Sequence, residues 1–178
     1  MTAKAVLIQD AVAAMNVDSW NRHAQSTVAM QNGYVMQLAS KTGVSGESEV
    51  WLATVPASGA GLKNLWMCAE PEVVVTNAQY KGLDPDPRNF EVAIGTTFNA
   101  FMIKLGDIIT VNAEAIAGTL VTGDYAVASN GVWRLTWAAS GVSGVTFYRR
   151  ATTYMSIADG TIASHQITAY ELECIALA

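Results

Sequence analysis

The chain has 178 residues, enough for one domain with a sizeable core but cramped for two, and its ten basic and fifteen acidic side chains give a net charge of −5. With a pI near 4.9 and no cluster of Lys or Arg, it lacks the grouped cations that nucleic-acid binding needs for counterion release. Charged residues are only 14% of the chain, against roughly 25% in an ordinary globular protein.

A folded monomer of this mass exposes roughly 8,000 Å², which the charged side chains cover about half as densely as usual. Two readings follow. Ala supplies 28 residues and sits comfortably on any surface, so the 51% hydrophobic fraction overstates true apolar area. Alternatively, part of the surface lies against copies of the chain or a larger partner.

The first 22 residues differ from the rest. Val6, Ile8, Ala11, Val12 and Met15 are spaced to suit either a short helix or an extended arm, ahead of a single β domain over residues 23–178. Gln9 and Asp10 end the apolar run Ala5–Ile8 after four residues, short of the 7 to 15 of a secretion signal. No stretch approaches the ~18 apolar residues of a membrane span, so synthesis in the cytoplasm is expected.

From Ser26 the grammar is that of strands. Asn32-Gly33, Gly106-Asp107, Gly123-Asp124, Asn130-Gly131 and Asp159-Gly160 each interrupt an apolar run with residues that tolerate the positive φ of tight hairpin turns. Predicted strands begin with Ser26–Gln31 and Tyr34–Ser40 as a first hairpin, then Glu49–Val55, Leu62–Glu70 and Glu72–Tyr80. The segment Lys81–Asn89 contains Asp84-Pro85-Asp86-Pro87 and reads as a stiff exposed loop, because proline lacks the ladder donor and restricts its predecessor. Beyond it come Phe90–Ile94, Phe98–Leu105, Ile108–Ile116, Thr119–Thr122, Tyr125–Ser129, Val132–Ala138, Val145–Ile157 and His165–Ala176.

Period-two alternation places Trp133, Leu135 and Trp137 on one face of their strand. In the last strand Tyr170, Leu172 and Cys174 oppose Ala169, Glu171 and Glu173. About a dozen short strands without intervening helices predict an all-β fold, an antiparallel sandwich or barrel with hairpin connections. Cys68 and Cys174, far apart in apolar runs, read as buried free thiols.

The residues offer no catalytic constellation. Neither Thr42-Gly-Val-Ser-Gly46 nor Ser140-Gly-Val-Ser-Gly144 has the Gly-x-Ser-x-Gly spacing that turns a serine outward. His23 and His165 are the only histidines, and no Cys or His pair has zinc spacing. Asp84 and Asp86 lack the ligand series of a calcium loop, and Glu171 and Glu173 share a strand face as wet-side acids commonly do. No glycine loop has the form that cradles phosphate. A non-enzymatic protein without cofactor or metal is therefore expected. The five tryptophans, with Trp133 and Trp137 on one face, leave a carbohydrate-binding module as the alternative.

The run Gly82-Leu-Asp-Pro-Asp-Pro-Arg-Asn-Phe90 through Phe101-Met-Ile-Lys-Leu-Gly-Asp-Ile-Ile-Thr-Val111, with Gly118-Thr-Leu-Val-Thr-Gly-Asp-Tyr125 and Ile167-Thr-Ala-Tyr-Glu-Leu-Glu-Cys174, resembles the decoration, or cement, proteins of tailed-bacteriophage heads. The resemblance covers about half the chain. It implies a β-rich virion protein, often trimeric, on the outside of an icosahedral shell, with the major capsid protein lattice as partner and no active site. It further implies a terminal arm reaching the shell. Residues 1–22 would be that arm, with Val6, Leu7 and Ile8 as anchoring side chains. Beside this reading, a glycan- or receptor-binding β module of a phage tail or fibre is the alternative, and a self-assembling shell or tube subunit is a third possibility.

Overall fold

The computed structural model describes residues 3–41, 49–58, 62–71, 74–77, 82–84, 86–120, 124–141, 144–157 and 165–177. Among these the fold is all-β, and the helical stretches are short 3-10 turns such as Ala13–Asn16, Asp18–Trp20, Pro87–Asn89 and Ala113–Ala115.

The described residues contain fourteen strands in chain order: β1 (Leu7–Ala11), β2 (Asn21–Gln25), β3 (Val35–Lys41), β4 (Val50–Thr54), β5 (Trp66–Cys68), β6 (Val74–Asn77), β7 (Gly82–Asp84), β8 (Phe98–Met102), β9 (Ile108–Asn112), β10 (Ile116–Ala117), β11 (Tyr125–Val127), β12 (Leu135–Ala138), β13 (Val145–Ile157) and β14 (His165–Leu177). They form a closed five-stranded barrel, β2-β4-β3-β5-β8, a seven-stranded sheet, β1-β9-β14-β13-β11-β12-β10, and a small β6-β7 ribbon. Most pairs are antiparallel; β2-β4 and β10-β12 are parallel.

Alternation along three barrel strands explains how the two bodies meet. Val35, Met67 and Phe101 face outward and join Ile109, Val111, Leu135, Phe147 and Leu172 of the sheet in the main core. Their neighbours Met36, Cys68 and Ala100 turn inward and fill the barrel with Ala24, Ala53 and Phe98. A strand buried on both faces reads as a continuous apolar run, which is the pattern of Trp66-Met67-Cys68. Met30, Phe90 and Val92 pack into the same barrel cluster. A third, small cluster joins Val6, Met155, Ile157 and Ala169.

Several local expectations are corrected. Ser26–Gln31 does not pair with the strand after Asn32-Gly33; in that stretch only Met30 makes a bridge, to Val92. The turn itself forms, with Gly33 at φ 83°, but the buried Asn32 side chain takes the place of a strand residue. Its Oδ1 accepts the Glu70 N–H at 2.8 Å and its Nδ2 donates to the Glu70 carbonyl at 2.9 Å. β3 consequently pairs with β4 and β5.

Gly106-Asp107 is likewise not a hairpin. It is the corner where the chain leaves the barrel at β8 and enters the sheet at β9. Asp107 fixes that corner by accepting the N–H groups of Ala13 at 2.9 Å and Lys104 at 2.7 Å, while its backbone carbonyl accepts the Cys174 N–H at 2.8 Å. Ile108–Ile116 is broken at Asn112 by a 3-10 turn, and Thr119 and Leu120 are not strand. Lys81–Asn89 is not simply a loop: Gly82–Asp84 is a strand, and Asp86 is buried, capping the following turn. Ala169, expected opposite the core face, is buried too, because the small third cluster covers that side of β14.

Asn130-Gly131 does lie between antiparallel strands, β11 and β12. β13 and β14 pair from Val145↔Leu177 to Ile157↔His165, as the sequence leads one to expect, while Gly123 and the turn Asp159-Gly160 lie outside the described residues.

Residues 3–20 pack along the chain's own sheet. β1 hydrogen-bonds to β9, and Ala5, Val12 and Ala14 belong to the main core. The segment is thus an edge strand followed by 3-10 turns, where the sequence left helix and arm open.

Candidate functional site

Among the described residues the interior of the barrel is shut from water along part of its length and opens at a cleft. Ala24, Met36, Ala53 and Cys68 are at most 3% exposed. On the same pleat faces, two residues away, stand Arg22, Leu38, Trp51 and Trp66, each only half-buried. These four side chains line a cavity of about 260 Å³.

Register explains how they meet. Trp51 lies opposite Ala24 across the parallel β2-β4 pair, and Trp66 lies opposite Met36 across β3-β5. Between Leu38 and Lys41 the β3 strand bulges: three residue steps on β3 match two on β4, so Lys41 falls opposite Trp51. An unbulged strand would have turned Lys41 to the other face.

Two cations therefore border two indoles. The Arg22 guanidinium carbon stands 5.8 Å from the Trp66 ring centroid, and Lys41 Nζ stands 5.9 Å from that of Trp51. Both distances are at the outer limit of a cation–π contact, so neither ring face is tightly covered. Arg22 donates to the Asn21 carbonyl at 2.8 Å and makes no ion pair among the described residues. Lys41 stands 3.4 Å from Glu49, both side chains well exposed.

The residues singled out from sequence scatter. Val6 is buried in the small cluster with Met155 and Ile157, Leu7 is half-buried against the main core, and Ile8 is 45% exposed. Of the three proposed anchors, Val6 is thus occupied internally and Ile8 is the one presented to solvent. Trp133 and Trp137 do not form a platform: Trp133 packs on the barrel cluster, whereas Trp137 is buried in the main core, edge-to-face with Tyr170 at 5.1 Å. Trp20 lies under Lys104 Nζ, 4.6 Å from the ring centroid.

His23 and His165 are exposed and lie in different sheets, β2 and β14. Asp86 is engaged by Arg88, whose Nη2 lies 2.7 Å from Oδ2 and whose Nε lies 3.0 Å from Oδ1; the Asp84 side chain is outside the described residues. Glu173 is ion-paired with Arg150, the residue at the β13 bulge, while Arg149 pairs with Asp124. Cys68 and Cys174 are buried and free, and burial pushes the Cys174 thiol up to about 12 and that of Cys68 higher still. Neither is a ready thiolate at neutral pH.

The cleft between Leu38, Trp51 and Trp66 was missed by sequence reasoning. Its only signal was a pair of tryptophans in two strand-like segments, and their approach depends on a third strand between them. Comparisons with protein families, with curated proteins and with solved structures find no match to this chain.

Proposed function

We propose that this chain is a non-enzymatic structural protein that docks on an icosahedral virion shell as a decoration protein, its partner being the major capsid protein lattice. The reading rests on the sequence resemblance and draws its physical support from an exterior that is weakly charged and studded with apolar side chains. Ile8, Met15, Ile94, Leu105 and Tyr154 are each at least 45% exposed. Burying such residues across subunit joints stabilises a shell at about 25 cal/mol per Å² of apolar area removed from water.

β1 supplies a contact mode. It is an edge of the seven-stranded sheet, so its outer backbone groups are available to a partner strand. Leu7 and Gln9 of that strand border a cleft of about 300 Å³ with Asn32, Ala69, Glu70 and Pro71. Of the predicted anchors, Leu7 and Ile8 stand at this margin, and docking as a homo-oligomer, often a trimer in the family it resembles, multiplies the footholds.

The test is to mix the purified protein with undecorated shells of its virion and sediment them. Stoichiometric co-sedimentation supports docking, and its absence with intact shells refutes it. Light scattering after size exclusion separates the third possibility, since spontaneous particles of megadalton size would mark a shell or tube subunit.

A further inference from the structure

We propose that the mouth of the five-stranded barrel binds a saccharide ring that carries a carboxylate, with Trp51 and Trp66 stacking on the ring and Arg22 pairing with the acid. This is independent of docking on a shell.

The lining departs from what stability alone would arrange. Inward-facing positions elsewhere in the barrel are filled by Ala, Met, Cys and Phe and shut from water, whereas here two indoles stand half-open around a cavity of about 260 Å³. Indole faces left accessible in a concave site take up the C–H face of a pyranose or another flat apolar surface. The volume lies below the roughly 300–1,000 Å³ of sites for drug-sized ligands, which fits one ring with the remainder of a glycan outside.

Charge narrows the class. In a chain with fifteen acidic and ten basic side chains, Arg22 has no carboxylate partner among the described residues and spends one donor on a backbone carbonyl. A guanidinium presents five donors in a planar fork that suits a carboxylate, while Lys41, paired with Glu49, stands by the Trp51 ring. A neutral sugar would leave Arg22 without a counter-charge, whereas Lys41 already has Glu49 at 3.4 Å. A nucleic-acid strand is disfavoured by the overall negative charge, which repels an extended phosphate backbone. An acidic pyranose, of the uronic or sialic type, meets the indoles and the Arg22 guanidinium together.

The experiment titrates the full chain with D-glucuronic acid, N-acetylneuraminic acid, glucose and adenosine monophosphate, reading tryptophan fluorescence and calorimetric heat at low ionic strength. Saturable binding of at least one acidic sugar, with none of glucose, is expected. Arg22→Gln should weaken it about tenfold or more, the loss of one charge-assisted pair. His23→Gln, next in sequence but on the opposite face of β2, should leave affinity unchanged, and matching melting curves would show that both variants fold. Failure of both acidic sugars up to their solubility overturns the proposal. So does an equal response to glucose, tighter binding of the nucleotide, or wild-type affinity in Arg22→Gln.

Discussion

Replacing Asn32 by Ala removes a side chain that does the work of a strand. The ladder here runs from the Gly33 N–H to the Cys68 carbonyl and from the Cys68 N–H to the Tyr34 carbonyl, both at 2.9 Å, and the Asn32 amide extends it to both backbone groups of Glu70. Asn32 is only 2% exposed, so water does not readily replace it. Two hydrogen bonds at about 1 kcal/mol each, plus part of the penalty for the Glu70 groups left unpaired, give a loss of about 2–4 kcal/mol. For a chain of this length that lowers Tm by about 5–15 °C. Asn32→Asp provides the sharper test: it keeps the acceptor for the Glu70 N–H but sets a buried, charged oxygen against the Glu70 carbonyl, and should cost at least as much at neutral pH. Circular dichroism melts of the three proteins decide the matter. A Tm within about 2 °C of wild type for Asn32→Ala, or a near-native Asn32→Asp, would refute the account of the amide as a ladder element.

Two other perturbations probe the corner and a close approach. Burial raises the Asp107 carboxyl above its ordinary value of 3.8, outweighing the Ala13 and Lys104 N–H groups that pull it down, so the folded state holds this proton more tightly than the unfolded one. Wild type therefore loses stability as pH rises from about 3.8 through the raised value, whereas Asp107→Asn does not titrate there; the stability gap between them should be widest in acid and narrow toward neutrality in urea unfolding from about pH 3 to pH 7. A gap that widens with pH would contradict this. Gly144 has φ 114°, and a Cβ there would stand 2.6 Å from Leu62 Cβ and 2.8 Å from the Leu62 carbonyl oxygen. Gly144→Ala should cost about 2–4 kcal/mol in a thermal melt, at least twice the cost of Gly131→Ala, whose added methyl meets nothing within 4 Å.

Long-range strand character was legible wherever alternation was long. β13 and β14 are continuous over thirteen residues each and pair in the order their sequence suggests. The division into barrel and sheet was not legible, because Gly106-Asp107 has the same turn chemistry whether the next strand folds back on its predecessor or crosses to another layer. Asn32-Gly33 misled for a related reason: the turn is real, but the amide binds a segment distant in sequence, and nothing in the local pattern reports that. The tryptophans show the same limit. Trp133 and Trp137 share a periodicity but end in different clusters, since strand β12 begins only at Leu135. Trp51 and Trp66 share a cleft because β3 pairs with both of their strands, and the bulge that sets Lys41 opposite Trp51 is a one-residue shift that alternation along β4 or β5 does not encode.

The barrel is closed on itself, so among the described residues backbone pairing with another chain falls to strands outside it. One is β1, an end of the seven-stranded sheet with five residues. Another is the far part of β13, which from Arg150 to Ile157 is matched by β14 alone. The bulge at Arg150, whose side chain is ion-paired with Glu173, interrupts that overhanging margin with a kink and a charge, the means by which an open strand is kept from templating a second copy.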